Sequence, residues 1–153
     1  MNKTKRKIFE TSMKLFAEKG YDATSIEEIT SIVGVAKGTL YYHFSSKEEI
    51  FHFLVDEGMK LLQNSISIKT AQKTNSIDKL KSIVLIQLKV LYKYEDFMTI
   101  IFSQLWGNEP RNIECKKYVV QYLKIIEEII QDGINKGEII EADPETIASE
   151  IFS

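Results

Sequence analysis

The stretch GVAKGTLYYHFSSKEE, Gly34–Glu49, decides the fold. It gathers a lysine, a threonine, two tyrosines and a histidine into about two turns of helix. Leu40 and Phe44 stand four residues apart, so they share one inward face. Lys37, Gly38, Thr39, Tyr41, Tyr42 and His43 are then left outward. A Gly34-Val35 turn precedes the helix, where glycine takes a backbone angle that other residues resist. SKEE, Ser46–Glu49, follows it and reads as a capping box that opens the next helix.

Upstream, SIEE at Ser25–Glu28 is a second capping box. It starts a helix whose inward face carries Ile26, Ile29 and Val33. Before it, a helix is expected over about residues 3–19. Phe9, Met13, Phe16 and Ala17 follow helical spacing, with Ile8 and Leu15 beside them, and Gly20 is a natural stop. A supporting helix followed by two helices across a tight turn is the helix-turn-helix arrangement. In it the third helix enters the DNA major groove and the second crosses the backbone.

The outward residues then take roles. Lys37 brings charge to the DNA surface. Gly38 lets the backbone approach a base edge. Thr39 offers a hydroxyl and a methyl. Tyr41, Tyr42 and His43 can donate to phosphates. Lys47, at the start of helix four, and Thr24 and Ser25, at the start of helix two, sit where helix amides favour an anion. The blander alternatives are that Tyr41 fills the core and that His43 only packs or caps.

Downstream the chain reads as helical throughout. Helix four carries Ile50, Phe51, Leu54, Val55, Met59, Leu61 and Leu62, with Gly58 as a tolerated interruption or a bending point. SIKTAQKTNS, residues 67–76, reads as a loop. Helix five is apolar on two sides, Ile77, Leu80, Val84, Leu88 and Leu91 on one and Ile83, Ile86 and Val90 on the other, which predicts packing between other helices. Helix six is expected over about 96–105, and WGNEP breaks the chain. Helix seven follows over about 111–135. Asp143 as N-cap and Pro144 at the first helical position open helix eight. Gln87, Gln104 and Arg111 read as surface residues, the alternative being polar contacts to a ligand. The domains expected are a head, 1–46, and a helical regulatory body, 47–153, ending within helix eight.

Gly numbers 7 and Pro 2 among 153 residues, which suits an all-α fold. Residues 1–47 carry eight Lys or Arg against five Asp or Glu, a net +3, and the remainder carries 12 against 17, a net −5. A basic head on an acidic body suits an anionic partner at the head. Cys115 is the single cysteine, so no intrachain disulfide forms. No apolar run approaches the roughly 18 residues of a membrane helix. With no signal-peptide pattern at the N-terminus, a bacterial cytoplasmic protein is expected. Two histidines nine apart, no nucleophile elbow and no phosphate loop argue against an enzyme, and no cofactor or metal is expected.

GYDATSIEEITSIVGVAKGTLYYHFSSKEEIF, Gly20–Phe51, resembles the DNA-binding head of TetR-type transcriptional regulators. The likeness covers about the first 50 residues; beyond them it rests on helix count, helix lengths and the turn before helix eight. It implies a homodimer on a palindromic operator, and a body that binds a small hydrophobic or amphipathic effector whose binding moves helix four and releases the DNA. Met59, Leu62, Phe97, Met98, Phe102, Trp106, Tyr118 and Tyr122 are the large side chains expected at that pocket, the alternative being that most are plain core. Ala36 departs from the family's usual Ser or Thr cap on helix three. Members usually run through helix eight into a further helix that completes the dimer interface, whereas this chain ends inside helix eight. That leaves open a longer protein, a truncated one, or a different dimer. A ligand-independent DNA-binding or nucleoid-associated protein would carry the same head, and a protein-interaction module is a third reading.

Overall fold

The computed structural model describes all residues, 1–153, as eight α-helices. They are α1 (Lys3–Lys19), α2 (Ile26–Val33), α3 (Lys37–His43), α4 (Lys47–Ala71), α5 (Ser76–Lys93), α6 (Glu95–Ser103), α7 (Pro110–Asn135) and α8 (Pro144–Phe152). The chain divides into two compact units, Met1–Gly58 with Tyr94–Cys115, and Met59–Lys93 with Lys116–Ser153. The chain passes from one unit to the other within α4 and within α7.

In the first unit, Ile8, Leu15 and Phe16 of α1 are buried with Ile29 of α2, Leu40 of α3, and Ile50, Phe51 and Leu54 of α4. The inward face of α1 is rotated from the expected stripe. Ser12 is buried on it, which is tolerable because its hydroxyl donates to the Ile8 carbonyl at 2.7 Å. Phe16, Tyr21 and Phe51 form an aromatic cluster with ring centroids 5.3–6.1 Å apart. Helix α6 packs against α1. Its Phe97 lies against Gly58 so closely that a Cβ at Gly58 would sit 2.3 Å from the ring. Gly58 is therefore more than a loose interruption, because the close approach of Phe97 leaves no room for a side chain there.

In the second unit, Ile66, Ile83, Tyr122, Ile126, Ile130 and Ala148 are buried. The Ser76 amide donates to the Glu138 carboxylate at 2.7 Å, so the turn after α7 caps α5. Asp143 accepts the Thr146 amide at 3.0 Å, and Pro144 occupies the first turn, as the spacing predicts.

Two expectations fail here. The polar stretch after Ile66 is a loop only in its second half: α4 continues to Ala71, and the loop is confined to residues 72–75. Ile66 is buried, and the Ser65 and Thr70 hydroxyls donate back to the Leu61 and Ile66 carbonyls, so polar residues serve as the solvated side of a helix. Helix α5 is not covered on both sides either. Ile83 is buried, but Ile77, Val84, Leu88 and Leu91 are exposed in this chain.

Candidate nucleic-acid interface

The helix-turn-helix forms as its sequence dictates. The Ser25 hydroxyl accepts the Glu28 amide at 3.1 Å and so caps α2. The reciprocal half of the box is diverted, because the Glu28 carboxylate takes the Lys19 ammonium of α1 at 2.8 and 3.0 Å. Helix α2 ends at Gly34, in the left-handed region at φ 78° and ψ 39°. There the amides of Gly34 and Val35 both donate to the Thr30 carbonyl, at 2.9 and 3.1 Å. That tight stop sets α3 across α2.

Helix α3 begins at Ala36 in an extended conformation with no side-chain cap. Leu40 is 0% and Phe44 1% exposed, and they pin the helix to the core. The opposite side is open: Tyr42 is 84% and Tyr41 47% exposed, so Tyr41 does not fill the core. Lys37 and Gly38 are exposed with them, and Thr39 and His43 are half-buried. The His43 ring meets Tyr42 edge-on at 5.0 Å. A Cβ on Gly38 would meet nothing within 4 Å, so nothing inside the chain demands glycine there. The Lys37 ammonium pairs with Glu27 of α2. Hydrogen bonding and charge in that pair raise the lysine pKa and lower that of the carboxylate.

Thr24 and Lys47 are placed differently from the sequence expectation. The Thr24 side chain is buried and its hydroxyl donates to the Gly20 carbonyl at 2.8 Å, so it supports the turn instead of facing outward. The half-buried Lys47 donates to the carbonyls of Tyr21 and Thr24 at 2.8 and 3.0 Å and lies 4.2 Å from the Tyr21 ring centre. Ser46 caps α4 by accepting the Glu49 amide at 3.0 Å, while the Glu49 carboxylate engages the Ser45 amide and hydroxyl. Those bonds hold the Glu49 pKa below the usual carboxylate range.

Residues the sequence reading set aside as surface form a polar joint in the same unit. Gln104 is only 8% exposed. Its side-chain oxygen accepts from Arg111 Nε and Asn112 Nδ2, both at 3.0 Å. Arg111 also donates to Asp22 at 3.1 and 3.3 Å, and its guanidinium lies 4.6 Å from the Tyr21 ring centre. No local spacing could reveal a pair separated by 89 residues.

The side chains expected at an effector pocket fall in both units. In the first, Phe97 is buried, Met98 half-buried, Phe102 exposed and Trp106 81% exposed. In the second, Met59 and Tyr122 are buried and Leu62 and Tyr118 half-buried. The Tyr122 hydroxyl is buried with no hydrogen-bond partner, and its ring packs 5.8 Å from Phe152. Cys115 is fully buried, and burial pushes its thiol up to about 12, so it is inert. No group of His, Cys, Asp and Glu is arranged to hold a metal ion.

A short helix set across α2 by a tight turn, pinned by Leu40 and Phe44 and exposing Lys37, Gly38, Tyr41 and Tyr42, is the arrangement of the helix-turn-helix regulators. Residues 8–54 match the family described as bacterial regulatory proteins, tetR family. A solved structure of a Clostridium perfringens putative fatty acid metabolism regulator is 37% identical, with a TM-score of 0.88 over 95% of this chain and 79% of that one. The Bacillus subtilis transcriptional regulator FadR, solved in complex with stearoyl-CoA, is 25% identical, with a TM-score of 0.82 over 96% of this chain and 80% of that one. The negative transcriptional regulator IcaR of the Staphylococcus aureus biofilm operon icaADBC is 40% identical over 114 residues, 74% of this chain and 59% of that protein. The chain thus spans about half to three-fifths of the length of the curated relatives it matches. The chain belongs to the TetR family.

Proposed function

We propose that the chain is the DNA-binding and effector-binding part of a transcriptional repressor. It acts as a homodimer on a palindromic operator and is released by a small, largely apolar ligand. The observation that carries this reading is the face of α3, where Lys37, Gly38, Tyr41 and Tyr42 are exposed while Leu40 and Phe44 are buried. Two such helices must stand about 34–36 Å apart to enter successive major grooves. The effector class best supported is a fatty acyl chain on a polar carrier. The support is likeness to a putative fatty acid metabolism regulator and to a regulator solved with stearoyl-CoA. The orphaned Tyr122 hydroxyl would give such a ligand a polar handle in an apolar setting. No helix is long and apolar enough to cross a membrane, which is compatible with a place in the bacterial cytoplasm beside the DNA.

Selection from random duplexes at ~150 mM salt, where nonspecific contacts weaken, tests the first half of the reading. A palindrome should be enriched, and Lys37→Ala and Tyr42→Phe should weaken its binding. Absence of enrichment by a folded protein would refute it. Stearoyl-CoA should then lower operator affinity by about 5- to 150-fold. Unchanged affinity with acyl-CoA ligands of every length would favour a ligand-independent DNA-binding protein with the same head.

A further inference from the structure

Arg111 stands at the start of α7, the helix that leaves the first unit after Cys115 and continues into the second. Within the first unit it touches two other elements. It donates to Asp22 in the turn between α1 and α2, and to Gln104 at the end of α6. It also lies over Tyr21. Lys47, in the first turn of α4, lies over the same tyrosine and holds the Tyr21 and Thr24 carbonyls. Tyr21 therefore joins the start of α7 to the start of α4 and to the residue before the α2 cap. A second tie, His52 of α4 to Glu114 of α7, runs beside it.

These ties are not sealed by packing. A cleft of about 370 Å³ opens among Tyr21, Glu48, His52, Arg111 and Glu114. The Tyr21 hydroxyl is buried at the edge of this cleft, with the Glu48 carboxylate of α4 as the group that interacts with it. The joint has room to rearrange, and the guanidinium is the group that links α7 to both the α1–α2 turn and the end of α6.

We propose that Arg111 is a positioning residue for the DNA-binding head: through Tyr21 it sets the α1–α2 turn and Lys47, so that a shift of α7 alters the edge of the head that faces phosphate. This deepens the repressor reading and rests on it for the identity of the partner, but the latch itself can be measured without DNA.

Three full-length variants test it. Arg111→Met keeps the apolar stem and removes the charge and the planar fork, Asp22→Asn removes only an exposed ion pair, and Lys117→Met removes a charge from the same helix outside the joint. Amide hydrogen exchange over residues 20–25 and 46–49 should accelerate by about five-fold or more in Arg111→Met, less in Asp22→Asn, and not in Lys117→Met. Exchange unchanged in a folded Arg111→Met protein would overturn the proposal. Should Arg111→Met not fold, Asp22→Asn carries the test, because an 83% exposed carboxylate is not needed for folding. The second readout is a double-mutant cycle in operator binding between Arg111→Met and Lys47→Met at equal folded fraction. Non-additivity of about three-fold or more is expected, because both act through Tyr21. Additive effects would overturn it. Failure to find any operator would sink the repressor reading while leaving the exchange result standing.

Discussion

Replacing Gly38 with alanine should move stability and DNA affinity in opposite directions. Gly38 has no positive φ, and a Cβ there would have open space for 4 Å around it. Inside the chain, alanine should therefore only help. It lowers the backbone entropy lost on folding and should stabilise the protein by about 0.5–1 kcal/mol, at the low end because the site is in the first turn. For a chain of this size that is a rise in Tm of about 1–4 °C. On DNA the same methyl would stand between the α3 backbone and a base edge. A spoiled base contact costs about 1–3 kcal/mol, so operator affinity should fall by about 5- to 150-fold. Binding to nonspecific duplex should stay within about two-fold, because the phosphate contacts are untouched. Urea unfolding and fluorescence anisotropy on the selected operator at fixed salt give both numbers. A more stable G38A protein with wild-type operator affinity would refute the placement of Gly38 against the groove, and with it the proposed docking of α3.

Four further outcomes are expected. Ala36→Ser should supply the missing cap of α3 and raise stability by about 1 kcal/mol in urea unfolding. Gly58→Ala forces a methyl into the Phe97 ring and should cost about 1–3 kcal/mol by the same measurement, the opposite of an ordinary exposed helical glycine. Glu27→Gln frees Lys37 from its partner and removes a negative charge from the DNA-facing side, so operator affinity should rise and the salt slope steepen by about 1. Glu49 has its pKa lowered by the bonds to Ser45, so its contribution is complete above the ordinary carboxylate pKa and is lost as pH falls through the lower folded value; Glu49→Gln should lower Tm at neutral pH and flatten the acid limb of a Tm-against-pH curve below about pH 4.5, where the two proteins converge.

The head was largely legible because its signals are local. Ser25, Gly34 and Ser46 each cap or stop a helix through neighbours within four residues, and Leu40 and Phe44 declare the inward side of α3 by their spacing. What stayed hidden depends on pairs distant in sequence. The place of Lys47 at the start of α4 does not announce the Tyr21 and Thr24 carbonyls that it holds, 26 and 23 residues before it. Gly58 looked permissive because no pattern announces a phenylalanine 39 positions away. Helix α5 misled for another reason. Its apolar residues report what the helix is able to bury, and Leu88 and Leu91 nevertheless remain exposed in this chain.

The distribution of local support within the head bears on how it would recognise DNA. Helices α2 and α4 each have a serine cap, acidic residues in the first turn and a lysine tie, from Lys19 to Glu28 and from Lys47 to the turn carbonyls. Helix α3 has seven residues, no side-chain cap, no acidic residue in its first turn and a glycine at its second position. Isolated helices of that length do not persist in water. Its order must therefore come from Leu40 and Phe44 and from the helices beneath them. The Thr39 amide already donates to the Ala36 carbonyl, but the Lys37 and Gly38 amides are met by no side chain and are available to an acceptor brought from outside, and a phosphate or base edge is an acceptor of that kind. Capping it from within by Ala36→Ser would then compete with that acceptor, so the variant that gains stability should also lose operator affinity. A gain in both would mean that the open end of α3 plays no part in binding.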